Sequence, residues 1–413
     1  MFSRQYIDKT FWVLFFALIV VAIIALFSAG STLAYADPHS TLSPILKQIL
    51  FIVMGIGCAY LVQFVSTPWI RLGGYICLIV SWFMLLSMLI PGNPFVVYHN
   101  GAGRWLNLFG IEFQPSEITK LGLIIVVADL LARIRSKEDA KKYFFITLGI
   151  TVAVCLPVMT GNMSTAVLMA GIVFLMWFLA RLPWQYLVIT GASAVAFALL
   201  FYFVEEFAFV QPKRDLPKPF DRAITQVGRI DDMIEEHKQP AAEFKLTDDN
   251  YQRSIAKVAV MRGGITPFGV GPGRSRERDF LPLAYADYIY AIIVEETGII
   301  GGALLIVLYL MILIRACFSS SKYDDYQAML MTMGFALMIT CQALISMAVA
   351  VGLGPVTGQP LPMISKGGTS VLITSLYFGV MMAVAREQNE LKAGVTQSVL
   401  ESQNDIPELT ESL

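Results

Sequence analysis

Charge is scarce in this sequence. Lys, Arg, Asp and Glu make up 15% of the 413 residues against 56% that are hydrophobic, and the two signs nearly cancel to a net charge of −1. Soluble domains carry roughly 25% charged residues, so this balance excludes an ordinary water-soluble enzyme. The near-zero net charge identifies no partner, and a nucleic-acid partner is not expected. Cysteine is scarce too. Cys58, Cys77, Cys155 and Cys341 fall inside apolar blocks and Cys317 in a short loop, which gives neither a disulfide framework nor a metal-binding spacing. A cleavable leader is not expected either: the first apolar block begins at Phe11, runs past Ile24 for longer than a signal-peptide core, and has no convincing small-residue cleavage site. It reads as a retained first span.

What is present is a series of apolar blocks long enough to cross roughly 30 Å of hydrocarbon at about 1.5 Å per residue. Ten can be placed, near residues 11–31, 45–65, 73–91, 116–134, 143–160, 164–181, 185–204, 287–314, 327–351 and 369–386. The fold class is therefore all-α and polytopic, about ten transmembrane helices in one bundle. The membrane domain covers 1–386, and a polar tail over 387–413 is expected to be disordered in the cytoplasm. Basic residues in the short loops set the orientation. Arg4, Lys9, Arg71, the cluster Arg133 to Lys142, Arg181, Arg315, Lys322, Arg386 and Lys392 fall on alternate ends, which places both termini in the cytoplasm. The long hydrophilic segment 205–283, between spans seven and eight, is then extracytoplasmic. Within it, Ile224, Val227, Ile230 and Met233 have the spacing of a helix, either one lying on the membrane surface or an ordinary packed one.

A charge inside hydrocarbon costs a few kcal/mol, so each one needs a partner or a watery cavity. Glu117 and Lys120 stand three residues apart at the start of the fourth span, a spacing that allows an ion pair on one helix face. Asp129, near the other end of that span, reads as structural. Glu295 and Glu296 lie two turns inside the eighth span, where a structural partner and a site role are equally open. Asp287 stands at the external mouth of the eighth span among Tyr285, Tyr288 and Tyr290, shortly after Arg274, Arg276 and Arg278. Position alone allows a helix cap or a catalytic carboxylate.

Four external segments carry a resemblance. The first two are Gly101-Ala102-Gly103-Arg104-Trp105-Leu106 and Gln114-Pro115-Ser116-Glu117-Ile118-Thr119-Lys120. The third holds Gly263-Gly264, Gly269-Val270-Gly271-Pro272-Gly273, Phe280-Leu281-Pro282 and Asp287-Tyr288-Ile289-Tyr290. The fourth holds Gly354-Pro355, Gly358, Leu361-Pro362-Met363-Ile364-Ser365 and Gly367-Gly368-Thr369-Ser370. In this order and on one side of a ten-span chain they resemble the FtsW, RodA and SpoVE family of cell-wall polymerases. Departures are Lys366 where the family usually has Tyr, Leu283 and Tyr285 where it has Glu and His, and Asn162 with Ser164 in place of a Pro-Asp-containing motif.

The resemblance implies that the chain polymerises lipid II, a disaccharide-pentapeptide on undecaprenyl pyrophosphate, into β-1,4 glycan on the outer face of the cytoplasmic membrane. The FtsW-like division role is favoured over RodA-type elongation. A lipid II flippase and a non-enzymatic division scaffold are the rival readings. Inverting an α-linked sugar pyrophosphate needs a base for the acceptor hydroxyl and positive charge for the leaving group. Asp287 is the matching carboxylate, as general base or as a ligand to a divalent cation, Mg or Mn. Arg104, Lys120, Lys366 and Arg274 are candidate phosphate contacts, with Trp105, Glu117 and Ser365 beside them; headgroup anchoring is the alternative for these cations. No organic cofactor is implied. The implied partners are a class B penicillin-binding transpeptidase and other divisome membrane proteins.

Overall fold

The computed structural model describes residues 6–29, 43–90, 92–99, 102–108, 111–208, 248–264, 267–281, 285–355 and 357–404. Among them eleven α-helices form: α1 (Lys9–Ala29), α2 (Ser43–Val62), α3 (Thr67–Met88), α4 (Pro115–Ala132), α5 (Lys137–Gly161), α6 (Met163–Leu179), α7 (Trp184–Ala208), α8 (Asp248–Gly264), α9 (Ile289–Ser320), α10 (Tyr326–Ala350) and α11 (Gly368–Asn404). All but α8 fall on the ten apolar blocks. Local signals fix several starts. Ser136 and Asp139 form a reciprocal capping box at α5, Asp325 accepts from the Gln327 N–H at α10, and prolines occupy the first turns of α3 and α4.

Burial divides the bundle into an interior and a shell. In α4 nearly every residue from Pro115 to Leu131 is buried, and α10 is comparably enclosed. In the outer helices, large apolar side chains such as Phe16, Ile24, Leu61, Ile79, Phe83 and Leu304 are exposed. An apolar outer surface of this extent is stable only against hydrocarbon. Six of the helices (α1, α3, α5, α9, α10 and the first part of α11) are each long and apolar enough to cross a membrane. α4 falls outside that set because Glu117, Lys120 and Asp129 interrupt it, and the bundle supplies their partners. At the end with the basic loops, Asp129 accepts from Tyr75 (2.7 Å) and Arg133 (2.5 Å), and Arg71 lies 3.6 Å away, a structural anchor.

Three features differ from the expectation of bare helices and loops. A small antiparallel sheet forms in the order β1 (Val96–His99), β2 (Ala102–Leu108), β3 (Ile111–Phe113). Its valines, aromatics and leucines suit a pleated, half-buried surface. The second is α11, which does not stop at Arg386. It continues to Asn404 through polar sequence expected to be disordered, and Arg386 and Glu390 pair along it at 3.0 Å. The third is α8, a helix inside the long segment 205–283 that packs on α9. The amphipathic stretch 221–236 lies outside the described residues.

Candidate active site

The site is built around a break in a helix. Within α9, Gly298 has φ 71° and ψ −170°, which separates a short first half, Ile289–Thr297, from the long remainder. The glycine-rich segment 267–273 runs into the break. The Val270 N–H donates to the Glu295 carbonyl (2.9 Å), the Gly271 N–H to the Glu296 carbonyl (3.0 Å) and the Ile300 N–H to the Pro267 carbonyl (3.4 Å). A Cβ at Gly298 would lie 2.3 Å from the Pro267 oxygen, so both the positive φ and the close approach require glycine there.

The two glutamates beside the break bind this segment. Glu295 accepts from the Ser275 hydroxyl and from the Arg276 N–H at 3.1 Å, while Glu296 accepts from the Ser28 hydroxyl and from the Ser275 N–H at 3.4 Å. Arg262 and Arg278 stand 3.9 and 4.0 Å from the two carboxylates. Of the two roles left open by the sequence, the geometry favours the structural one. Two buried carboxylates find their donors in a loop and pin it against the half-helix that begins just after Asp287.

Asp287, half-buried, is held from the opposite side by the segment leading into α11. The Ser365 hydroxyl accepts from the Leu361 N–H (2.8 Å) and donates to the Ala286 carbonyl (2.5 Å), and the Lys366 N–H donates to the Tyr285 carbonyl (2.9 Å). The Tyr309 hydroxyl reaches from α9 to the Pro362 carbonyl at 2.5 Å. Ser365 was a candidate substrate contact. Its hydrogen-bonding capacity goes instead to fixing the residue before the carboxylate. Lys366 lies with its ammonium 4.7 Å above the Tyr285 ring, and burial, then the neighbouring Lys47, lower its pKa from the ordinary lysine value.

Arg104 completes the cluster. It lies on β2, and its Nε donates to the Gly161 carbonyl at 2.6 Å, where α5 ends. Its Nη1 points the other way: a Cβ built on Gly358 would sit 3.3 Å from that nitrogen and 3.9 Å from Oδ2 of Asp287. Gly358, at φ 59°, thus marks the point where cation and carboxylate converge, and a side chain there would fill the space between them. The pairing of β1 with β2 is irregular here: Tyr98 faces Gly103 and Val97 faces the half-buried Trp105, so Arg104 is the extra residue of a bulge.

Lys120 and Glu117 sit elsewhere. The ammonium lies 2.7 Å from Glu117 and donates to Gln342 Oε1 at 3.0 Å, and Gln342 Nε2 donates to the Pro360 carbonyl at 3.0 Å. Both charged residues are almost fully buried, at 0% and 3% exposure. The pair therefore supports the Gly358–Pro360 segment from below and presents no charge to a phosphate. Arg274 is exposed on the glycine-rich segment, and its guanidinium has no ion pair among the described residues. Gln342 and Gln359, which donates to the Thr165 hydroxyl at 2.6 Å, are participants that motif reading passed over. Gln342 could have been found as an amide in the middle of an apolar helix, where an unpaired polar group is costly.

A family model described as FtsW/RodA/SpoVE cell cycle protein matches residues 8–390. The chain belongs to this family. Relatives include two proteins named probable peptidoglycan glycosyltransferase FtsW. That of Enterococcus hirae is 31% identical, covering 94% of both chains, and that of Saccharophagus degradans is 32% identical, covering 91% of this chain and 92% of that one. The stage V sporulation protein E of Bacillus subtilis is 27% identical over 89% of this chain and 94% of its own.

Two solved structures share the fold. The rod shape determining protein RodA of Thermus thermophilus superposes with a TM-score of 0.63 at 21% identity, covering 93% of this chain and 98% of its own. A chain of a peptidoglycan synthase complex superposes at 0.71 and 23% identity, covering 92% and 98%. Like RodA, this FtsW/RodA/SpoVE member is a polytopic helical membrane protein.

Proposed function

We propose that this chain is the FtsW-type peptidoglycan glycosyltransferase of septal wall synthesis, polymerising lipid II on the outer face of the cytoplasmic membrane. The observation that carries the reading is the convergence of Asp287 and Arg104 on Gly358, a carboxylate and a guanidinium at the end of the bundle opposite the basic loops. The names of the two relatives above 30% identity support the chemistry and the division role. In this mechanism the acceptor sugar hydroxyl lies against Asp287, which takes its proton as the oxygen attacks the anomeric carbon of the donor. The bond to the lipid pyrophosphate breaks on the far side, which inverts the centre. Arg104 supplies a guanidinium fork suited to phosphate oxygens, and Lys366 adds a compact positive charge that steadies the departing pyrophosphate.

A divalent cation fits this site only in part. Among the described residues no three His, Cys, Asp or Glu side chains gather. Asp287 would give one oxygen ligand and the substrate phosphates the rest, as magnesium sites completed by substrate do. When bound, such an ion would neutralise charge on the pyrophosphate. The implied partner is a class B penicillin-binding transpeptidase that crosslinks the emerging glycan. Purified protein given lipid II and that partner should make long glycan. Failure to polymerise under conditions where a related polymerase succeeds would sink the reading.

The cations give a graded test. Arg104→Ala should lower turnover by roughly 10- to 100-fold without loss of fold, in line with about 1.5–3 kcal/mol for a hydrogen bond to a charged group. For Lys366 the sign follows from its lowered pKa. Its ammonium deprotonates at a lower pH than an ordinary lysine, so phosphate help is present at neutral pH and fades as pH rises through that lowered value. Lys366→Arg should therefore extend activity further into the alkaline range, while Lys366→Ala should lower it at neutral pH. Identical alkaline profiles for the parent and Lys366→Arg would remove Lys366 from the phosphate site.

We propose ten crossings, with both termini cytoplasmic and segment 205–283 outside. In a background with Cys317→Ser, which removes the exposed native thiol, a membrane-impermeant maleimide on intact cells should label Asp279→Cys and leave Ser136→Cys unmodified. The reverse pattern would invert the topology and place Asp287 on the wrong face for this chemistry.

A further inference from the structure

A second concavity opens on the outer surface of the bundle, between α1 and α9. Its volume is about 430 Å³, against about 30 Å³ for the cleft beside Arg104, so of these two concavities the apolar one is the larger. Ile24 and Ala25 of α1 and Ile293, Gly301, Leu304 and Leu308 of α9 line it, with Ile24 and Leu304 exposed at its lip. Glu296 and Thr297 also border it, but their polar atoms are engaged. Glu296 accepts from Ser28 and Ser275, and the Thr297 hydroxyl donates to the Ile293 carbonyl at 2.6 Å. What faces the groove is hydrocarbon.

The groove has a direction. Ile293, at its upper end, follows Asp287 by six residues, about 9 Å at 1.5 Å per residue. Above it the Arg278 guanidinium donates to the Ser28 carbonyl at 3.1 Å, and Arg274 and Arg276 are exposed on the same segment. That segment is fixed to the groove's outer end because Ser275 and the Arg276 N–H are bound by the two glutamates. An apolar trough under a cationic rim, on the helix that follows the candidate catalytic carboxylate, has the chemistry of one kind of ligand. It suits an amphiphile with a phosphate head and a long hydrocarbon tail.

We propose that the groove between α1 and α9 seats the polyprenyl tail of the lipid pyrophosphate engaged at the site, the tail passing the arginine rim on its way from the phosphates held by Arg104 and Lys366. This rests on the polymerase reading above and on the orientation given with it. Lining residues that are exposed to hydrocarbon can be enlarged without disturbing the core, so Ile24→Trp and Leu304→Trp are the variants to make. Polymerisation is measured with undecaprenyl lipid II and with an analogue bearing a farnesyl-length tail. The KM advantage of the long tail over the short one should shrink by about tenfold or more in both variants, a loss of roughly 1.4 kcal/mol of tail binding. An undiminished ratio in both would overturn the proposal, and a general loss of kcat would leave that ratio readable.

Binding can be tested without turnover. A photoreactive polyprenyl pyrophosphate should crosslink to α1 and α9 of the full-length protein. Undecaprenyl pyrophosphate should compete for the crosslink and excess phosphatidylglycerol should not. Equal competition by phosphatidylglycerol would make the groove a bulk-lipid surface, and crosslinking confined to other helices would exclude the tail from it. A parent protein that crosslinks there yet polymerises neither substrate would overturn the polymerase reading alone.

Discussion

Asp287→Asn is expected to abolish glycan polymerisation while leaving expression, membrane insertion and partner binding close to those of the parent. The two explanations for an acid at the start of a helix diverge at this substitution. A capping Asp satisfies backbone N–H groups, and Asn caps about as well, so a purely structural residue would tolerate the change. A general base would not, because the amide cannot take the acceptor proton, and loss of such help is typically worth roughly 100- to 10,000-fold in rate. A cation ligand would not either, since an amide oxygen binds a divalent ion more weakly than a carboxylate. In the structure the N-cap position of α9 is held by Tyr288, whose side chain makes no cap hydrogen bond, so Asp287 stands one residue before the cap. Ser365 and Lys366 hold the backbone at Ala286 and Tyr285, and the glutamates beside Gly298 hold the first half of α9, so the backbone on both sides of residue 287 is fixed by other residues. The measurement is glycan length and rate from purified variant with lipid II, a divalent cation and the transpeptidase. Long glycan at near the parent rate would remove this carboxylate from the chemistry.

What could be seen in the sequence follows from how far apart the relevant residues lie along the chain. Apolar runs of about 20 residues are local signals, and each of the ten coincides with a helix in the structure. Short-range motifs also led to Asp287 and Arg104. Their convergence was not legible, because it depends on a third residue, Gly358, whose lack of a side chain leaves the space where they meet. Glu295 and Glu296 could be flagged as costly in a span, but not assigned partners. Besides Ser28 of α1, those partners are Ser275 and the Arg276 N–H, which arrive where α9 breaks at Gly298 and admits a loop. A single glycine in an apolar helix carries no such message. The three-stranded sheet was missed for a related reason. Its strands are three to seven residues long, too short for period-two alternation to stand out beside the adjoining spans. Composition misled at the C-terminus, where α11 carries its polar sequence onward as helix to Asn404.

Glu117 and Lys120 separate a supporting role from a contact role, and the second large effect is expected from them. In the bundle the pair is enclosed by protein, and the ammonium also donates to Gln342. Breaking a buried ion pair by removing one partner is destabilising by about 3–5 kcal/mol, because the other charge is left without compensation. Lys120→Met alone and Glu117→Gln alone should each lower thermal stability in detergent sharply and reduce the yield of folded protein. The double variant Glu117→Gln, Lys120→Met removes both charges, and replacing a buried pair by neutral side chains of similar volume is often close to neutral. It should regain most of the parent's stability. Its activity then carries the distinction. A lysine that meets the pyrophosphate cannot be replaced by methionine, so a folded double variant would be inactive. A lysine that supports Gln342, and through it the Pro360 carbonyl beside Gly358, acts only by holding the segment in place. Some slack in that segment should lower turnover by less than about tenfold, a cost under 1.4 kcal/mol, and leave the alkaline profile set by Lys366 unchanged. A stable double variant with no detectable polymerisation would return Lys120 to the substrate, and would require the closed pocket around it to open during the catalytic cycle.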